Sequence, residues 1–237
     1  MLAMGGFGSP VDTGRSSRGV PLLVEHAVAL SGLSAPRICV LNTAMGDDPG
    51  SFLRMYEVLS RLPVRVSHLQ LFPMPNVTDP AGLLAAQDVI FVGGGSVANM
   101  LAVWRVHGLD QIMRSAWQAG IVLAGVSAGA ICWFAGGTTD SFGPELRPFG
   151  GGLELLAGSY CPHYDSEPTR RPKYQSLVAD GALPAGVACD DGAAAHFTDD
   201  TLTEIVADHA GARGYLVERA DGGGVTETVL PARLLTG

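Results

Sequence analysis

Three short apolar runs constrain this chain more than any other feature. Arg37-Ile38-Cys39-Val40-Leu41, Asp88-Val89-Ile90-Phe91-Val92 and Gly120-Ile121-Val122-Leu123-Ala124-Gly125 each carry four consecutive apolar residues and stop at small or polar ones. A strand that is apolar on both sides must be covered on both sides, as in a parallel sheet. The covering elements are legible between them. Ser51 to Leu62 places Phe52, Met55, Tyr56 and Leu59 at helical spacing, and Val97–Val106 and Leu109–Gln118 follow the same rule. Strand and helix in alternation predict an α/β fold, a three-layer αβα sandwich with a mostly parallel central sheet. Val64 to Leu71 alternates and is expected to add a strand. Leu202–Ala207, Gly214–Arg219 and Val225–Leu230 read as strands, with turns at Gly211 and Asp221 to Gly224, and are expected to extend the same sheet. No low-complexity linker or internal repeat divides the chain, so residues 1–237 are expected to form a single domain.

Composition narrows the class of function. Of 237 residues, 47% are hydrophobic and 16% charged, enough apolar material for a substantial core. The net charge of −8 lacks the basic footprint of a nucleic-acid binder. Cys39, Cys132, Cys161 and Cys189 are scattered without a CxxC pair and read as buried thiols rather than a disulfide framework. No apolar run approaches a membrane span, and the first residues lack the charged start and apolar stretch of a signal peptide. A soluble cytoplasmic protein is the expectation, with no membrane or nucleic-acid partner.

The third strand runs into Gly125-Val126-Ser127-Ala128-Gly129-Ala130. One reading is a small-residue turn into a helix. The other is a nucleophile elbow, in which small neighbours let the backbone turn sharply and lift the Ser127 hydroxyl to the top of the sheet. Gly93-Gly94-Gly95-Ser96 ends the preceding strand. It lacks the GK[ST] ending of a P-loop and the full GxGxxG spacing. Beside a serine nucleophile, a glycine turn can offer backbone N–H groups to an oxyanion. The amide of Ala128 would be one donor, and Gly94 or Gly95 the second.

A serine needs a base. Of six histidines, His26, His68, His107 and His209 read as helix, strand or turn residues. His163, in Tyr160-Cys161-Pro162-His163-Tyr164-Asp165, sits in a restrained aromatic segment where a strand would leave the core, and is the expected base. His196, flanked by apolar residues, is the runner-up. An orienting carboxylate would come from Asp140, Glu145 or Glu154.

The motifs GVSAGA with Trp133 shortly after, VGGG before a helix, TTDSFG and CPHYD follow one another in an order that resembles the peptidase E (aspartyl dipeptidase) family of serine peptidases, in its peptidase E-like branch. The likeness runs from the GGG turn through His163, with Asp190-Asp191-Gly192 beyond. It implies a sheet flanked by helices, like that of class I glutamine amidotransferase domains. It also implies Ser127 as nucleophile, His163 as general base, Asp140 as its acid with Glu145 still open, and Gly93 to Gly95 as an oxyanion element. The family's substrate is a dipeptide with an N-terminal aspartate whose side chain meets an arginine, and Arg170 and Arg171 are the candidates. The family has an asparagine just after its glycine turn, where this chain has Ser96.

The expected function is therefore hydrolysis of short peptides through an acyl-enzyme, with no metal or organic cofactor and a small peptide as partner; a homodimer is compatible with the sequence. Two rivals stand beside it. An α/β-hydrolase esterase would share GxSxG and would favour a later histidine, His196 or His209. A non-catalytic binding module would leave Ser127 idle.

Overall fold

The computed structural model describes residues 1–7 and 14–237. Its main sheet holds eight strands: β1 (Leu2–Met4), β2 (Arg37–Leu41), β3 (Arg65–Leu69), β4 (Val89–Val92), β5 (Val122–Val126), β10 (Ala193–Thr198), β11 (Thr201–Ala207) and β14 (Ala232–Leu234). They lie in the order β14-β11-β10-β1-β5-β4-β2-β3. From β1 to β3 every pairing is parallel, whereas β10 runs antiparallel to β1 and to β11. The remaining strands, β6 (Gly136–Thr139), β7 (Arg147–Gly150), β8 (Ser159–Cys161), β9 (Gly186–Cys189), β12 (Gly214–Arg219) and β13 (Val225–Leu230), form a second sheet in the order β13-β12-β9-β8-β6-β7.

The strand alternation decides which helices go where. In β2, Ile38 and Val40 face one layer while Cys39 and Leu41 face the other; in β4, Val89 and Phe91 oppose Ile90 and Val92. The first set packs with α1 (Leu22–Ala29) and α2 (Pro49–Leu59) through Leu23, Val24, Phe52 and Leu59. The second packs with α3 (Pro80–Ala85), α4 (Val97–Val106) and α5 (Leu109–Gln118) through Leu84, Leu101, Trp104 and Met113. The expected αβα layering is thus present, built on a mostly parallel sheet.

Helix starts are written locally. Asp48 and Asp79 each precede a proline and accept the amide two residues past it, from Ser51 at 2.8 Å and Gly82 at 2.9 Å. Ser96 caps α4 by accepting from the Asn99 amide at 3.2 Å. The serine that follows the glycine turn therefore has a structural task.

One expectation fails. Gly214–Arg219 and Val225–Leu230 were expected to extend the main sheet, but as β12 and β13 they pair with β9 and with each other in the second sheet. Only the segment forming β11 joins β10 in the main sheet. After α6 (Ala128–Ile131), α7 (Arg170–Ala179) is the helix that covers the second sheet, packing Tyr174, Leu177 and Val178 against Cys161, Tyr215 and Val217. The four cysteines are buried free thiols. Among the described residues no helix is long and apolar enough to cross a membrane.

Candidate active site

Strand ends assemble this site. Ser127 lies one residue past β5 and caps α6 with φ 54° and ψ −116°. That is a sparsely populated conformation for a residue with a Cβ, and such strain concentrates at functional positions. The sequence permits it through two glycines. A side chain at Gly125 would overlap the Gly129 carbonyl, and one at Gly129 would overlap the Val92 carbonyl at the end of β4. Both glycines are required by close approach, so the strand can turn directly into α6 while leaning on its neighbour.

The Gly93-Gly94-Gly95 turn arrives at the same place from β4. A Cβ on Gly94 would stand 3.2 Å from the Ser127 Cβ and 3.8 Å from its Oγ. Among the described residues, no hydrogen bond takes the amides of Gly94, Gly95 or Ala128. Of these, Gly94 packs against the Ser127 side chain and Ala128 is its chain neighbour.

His163 and Asp191 come from the second sheet, and their meeting follows from register. β8 and β9 are parallel, with Cys161 opposite Ala188. His163 lies two residues past the end of β8 and Asp191 two residues past the end of β9. Both therefore leave the sheet at the same edge, and His163 Nδ1 lies 2.7 Å from Asp191 Oδ1. His163 also has positive φ, 53°. The pair reaches the main sheet at Gly6. The Ser127 amide donates to the Met4 carbonyl at 3.1 Å. Two residues on, Gly6 bridges to Asp191, and a Cβ there would stand 2.6 Å from His163 Nδ1. Ser127, just past β5, is thus tied to β1 at Met4, and the His163–Asp191 pair meets the same segment two residues on at Gly6.

The electrostatics suit an imidazole held by an ionised acid. Burial raises the Asp191 pKa, but the bond to His163, the Ser166 hydroxyl and the Arg170 charge outweigh it, leaving the carboxyl below its ordinary value. Its amide is fixed by the Asp165 carboxylate at 2.9 Å. Neighbouring Asp190 behaves oppositely. Burial first, then the Asp165 charge, push it up to about 6, although the Arg213 amide and Tyr215 hydroxyl both donate to it.

Asp140 was expected beside His163 and is not there. It is exposed just past β6, where its backbone carbonyl closes a turn with Gly143. Glu145 and Glu154 are exposed as well. The physical reason is topological: β6 pairs with β7 and turns away, whereas the β9-to-β10 crossing carries Asp191 between the two sheets. Along the chain the three residues come in the order Ser127, His163, Asp191. Asp190-Asp191-Gly192 was visible as a motif, but its role depends on strand pairing that no local pattern reveals.

Arg170 and Arg171 are engaged elsewhere. Arg170 is 3% exposed, donates to Glu167 Oε2 at 2.8 Å and to the Thr138 carbonyl at 3.0 Å, and so ties α7 to β6. Arg171 pairs with Glu227 and lies over the rings of Tyr164 and Tyr215, 5.2 and 5.0 Å from their centroids. His196 and His209 point to other acids, Glu204 and Asp208. A pocket of about 390 Å³ opens beside Gly94 instead, floored by Val24, Met55, Phe91 and Val126 and bordered by Arg15 and Arg54. Arg54 donates to Ser51 Oγ at 2.9 Å and stands 3.8 Å from Asp48. The apolar floor and the cation at the edge had no signature in the sequence, because they gather from α1, α2, β4 and β5.

Known proteins agree with this architecture. The model of peptidase family S51 matches residues 15–205. A Bacillus subtilis (strain 168) protein described as "Uncharacterized peptidase YgaJ" is 42% identical over 237 residues, covering 99% of this chain and 98% of its own. Among solved structures, a peptidase from an acI-B1 actinobacterium superposes with a TM-score of 0.63 at 18% identity, covering 93% of this chain and 92% of that one. A putative peptidase E protein from Listeria monocytogenes EGD-e gives 0.53 at 17% identity, covering 92% and 96%. With its family model spanning most of the chain and a full-length relative at this identity, the protein belongs to peptidase family S51 and is a serine peptidase.

Proposed function

We propose that this peptidase hydrolyses dipeptides and other very short peptides through Ser127, His163 and Asp191. The observation that carries the reading is the bonded His163–Asp191 pair, which reaches Gly6, two residues past the Met4 carbonyl that holds the strained Ser127. With Nδ1 committed to Asp191, the other ring nitrogen is left to take the Ser127 proton as Oγ attacks the scissile carbonyl. The Ala128 amide and the Gly94–Gly95 turn supply donors to the oxyanion. His163 then protonates the leaving amine, and water releases the acyl group by the reverse sequence.

The pocket beside Gly94 supports a refinement of the substrate. A substrate carboxylate would meet Arg54, which lines this pocket, rather than Arg170 or Arg171, which do not. The apolar floor favours a second reading, an apolar side chain in the same pocket. The deciding experiment is hydrolysis of a dipeptide panel, with Asp-Xaa beside Leu-Xaa and Lys-Xaa, by wild type, Ser127→Ala and Arg54→Ala. Ser127→Ala is expected to lower kcat by about 10⁴-fold or more. Loss of Asp-Xaa cleavage alone in Arg54→Ala would identify the carboxylate receptor. Preference for Leu-Xaa, untouched by Arg54→Ala, would select the apolar reading, and full activity in Ser127→Ala would refute the mechanism.

A further inference from the structure

A second constellation lies at the opposite end of β1, where the peptidase chemistry has no use for it. His26 on α1, His196 on β10 and Glu204 on β11 each bring one ligand-type atom into a group whose members lie within 4.8 Å of one another. His196 sits opposite Leu2, whereas the His163–Asp191 pair sits over Gly6. At a strand rise of 3.3 Å, those four residues separate the two groups by roughly 13 Å along the sheet.

Three features set this group apart from an ordinary surface cluster. First, among the described residues His26 Nε2 is buried with no hydrogen-bond partner. A buried ring nitrogen is ordinarily satisfied, so its vacancy requires an explanation. The two imidazoles meet edge to face, with centroids 6.0 Å apart. Second, Glu204 is already oriented. Arg233 holds it through a two-pronged contact, Nε to Oε2 at 2.8 Å and Nη2 to Oε1 at 2.7 Å, and His196 Nδ1 approaches Oε1 at 3.4 Å. Carboxylate oxygens keep further lone pairs after such a fork, and a bonded outer partner is the usual companion of a ligating acid. Third, His196 lines a pocket of about 250 Å³, together with Leu30, Trp117 and Ile121. That gives an ion a way in and leaves room for a water.

We propose that His26, His196 and Glu204 form a binding site for a divalent transition ion of the zinc type, separate from the peptidase site. Two imidazoles and a carboxylate are a donor set that suits zinc, and the pocket side would supply the fourth, water-filled position. Three atoms no more than 4.8 Å apart surround a point at most about 2.8 Å from each, so each ligand closes by roughly 0.7 Å or less to reach zinc–nitrogen distances of about 2.1 Å. Small side-chain rotations supply that closure. The ion would clamp α1 to the β10–β11 hairpin and act on stability rather than on the chemical step.

The test is zinc titration of the full chain against a chromophoric chelator, with thermal unfolding followed in parallel. Wild type is expected to take up one equivalent and to unfold at a higher temperature as zinc is added. His26→Gln and His196→Gln are each expected to weaken binding by about 100-fold or more and to abolish the thermal shift. His163→Ala, which removes the competing pair at the peptidase site, is expected to retain both. Should His26→Gln not fold, X-ray absorption of zinc-loaded wild type reads the same ligands. Two imidazoles with oxygen and no sulfur would agree with the site. No uptake, uptake unchanged in both histidine variants, or a shell with fewer than two imidazoles would overturn it.

Discussion

Ser127 and His163 of the candidate site stood out as single residues because their neighbours mark them. Glycines flank the serine at an apolar strand's end, and a proline restrains the segment before the histidine. Asp191 was not readable in the same way. Its neighbourhood is an acidic turn, and only the parallel alignment of β8 and β9 brings it to His163. The roles separate experimentally. Asp191→Asn is expected to lower kcat by about 10³- to 10⁴-fold by releasing the His163 tautomer and orientation, while Asp140→Asn leaves kcat unchanged; steady-state kinetics on the best dipeptide check both. Asp190 makes a different prediction. Its folded pKa is raised from 3.8 to about 6, so between those values the native state holds more protons than the unfolded chain. Stability from this group is complete at the acid end of that window and is lost as pH rises through about 6. Asp190→Asn should flatten that part of the curve, read from urea midpoints at pH values across the window.

At the scale of elements, apolar periodicity identified helices well. Val97–Val106 and Leu109–Gln118 occur as expected, and the Ser51 to Leu62 helix starts two residues earlier because Asp48-Pro49 caps it. Strand identity was legible too, but strand partnership was not. The alternation in Gly214–Arg219 and Val225–Leu230 says that they are strands; it says nothing of whether β9 or β11 receives them. Helix α7 shows the same limit. Its leading arginines were the candidates for meeting a substrate carboxylate, whereas Arg170 is a buried strut between α7 and β6. Arg170→Ala is therefore expected to cost about 2 kcal/mol of folding stability, measured by urea unfolding, because it removes charged hydrogen bonds from a buried site. Loss of substrate affinity with unchanged stability would contradict this assignment.

The described residues form two sheets whose interior strands must meet for the site to exist. Tyr160 of β8 donates to the Ala3 carbonyl of β1 at 3.0 Å, a buried bond that joins one sheet to the other. Tyr160→Phe is expected to lower stability by about 1 kcal/mol. It is also expected to reduce kcat more than it raises KM, since it loosens the junction between β8, which leads to His163, and β1, to which Ser127 bonds; unfolding curves and steady-state kinetics on one preparation test both parts. The central position of β1 has a further consequence for synthesis. The strand at residues 2–4 has β5 on one side and β10 on the other, so its second partner is translated about 190 residues later. Pairings that distant in sequence form slowly. Asp191 lies in the same late segment, just before β10. A chain still on the ribosome thus carries its serine and its histidine for some time before the acid arrives, and the fold that delivers the acid is the one that closes the sheet around β1. The His163–Asp191 pairing and the closure of the sheet around β1 therefore wait on the same stretch of chain.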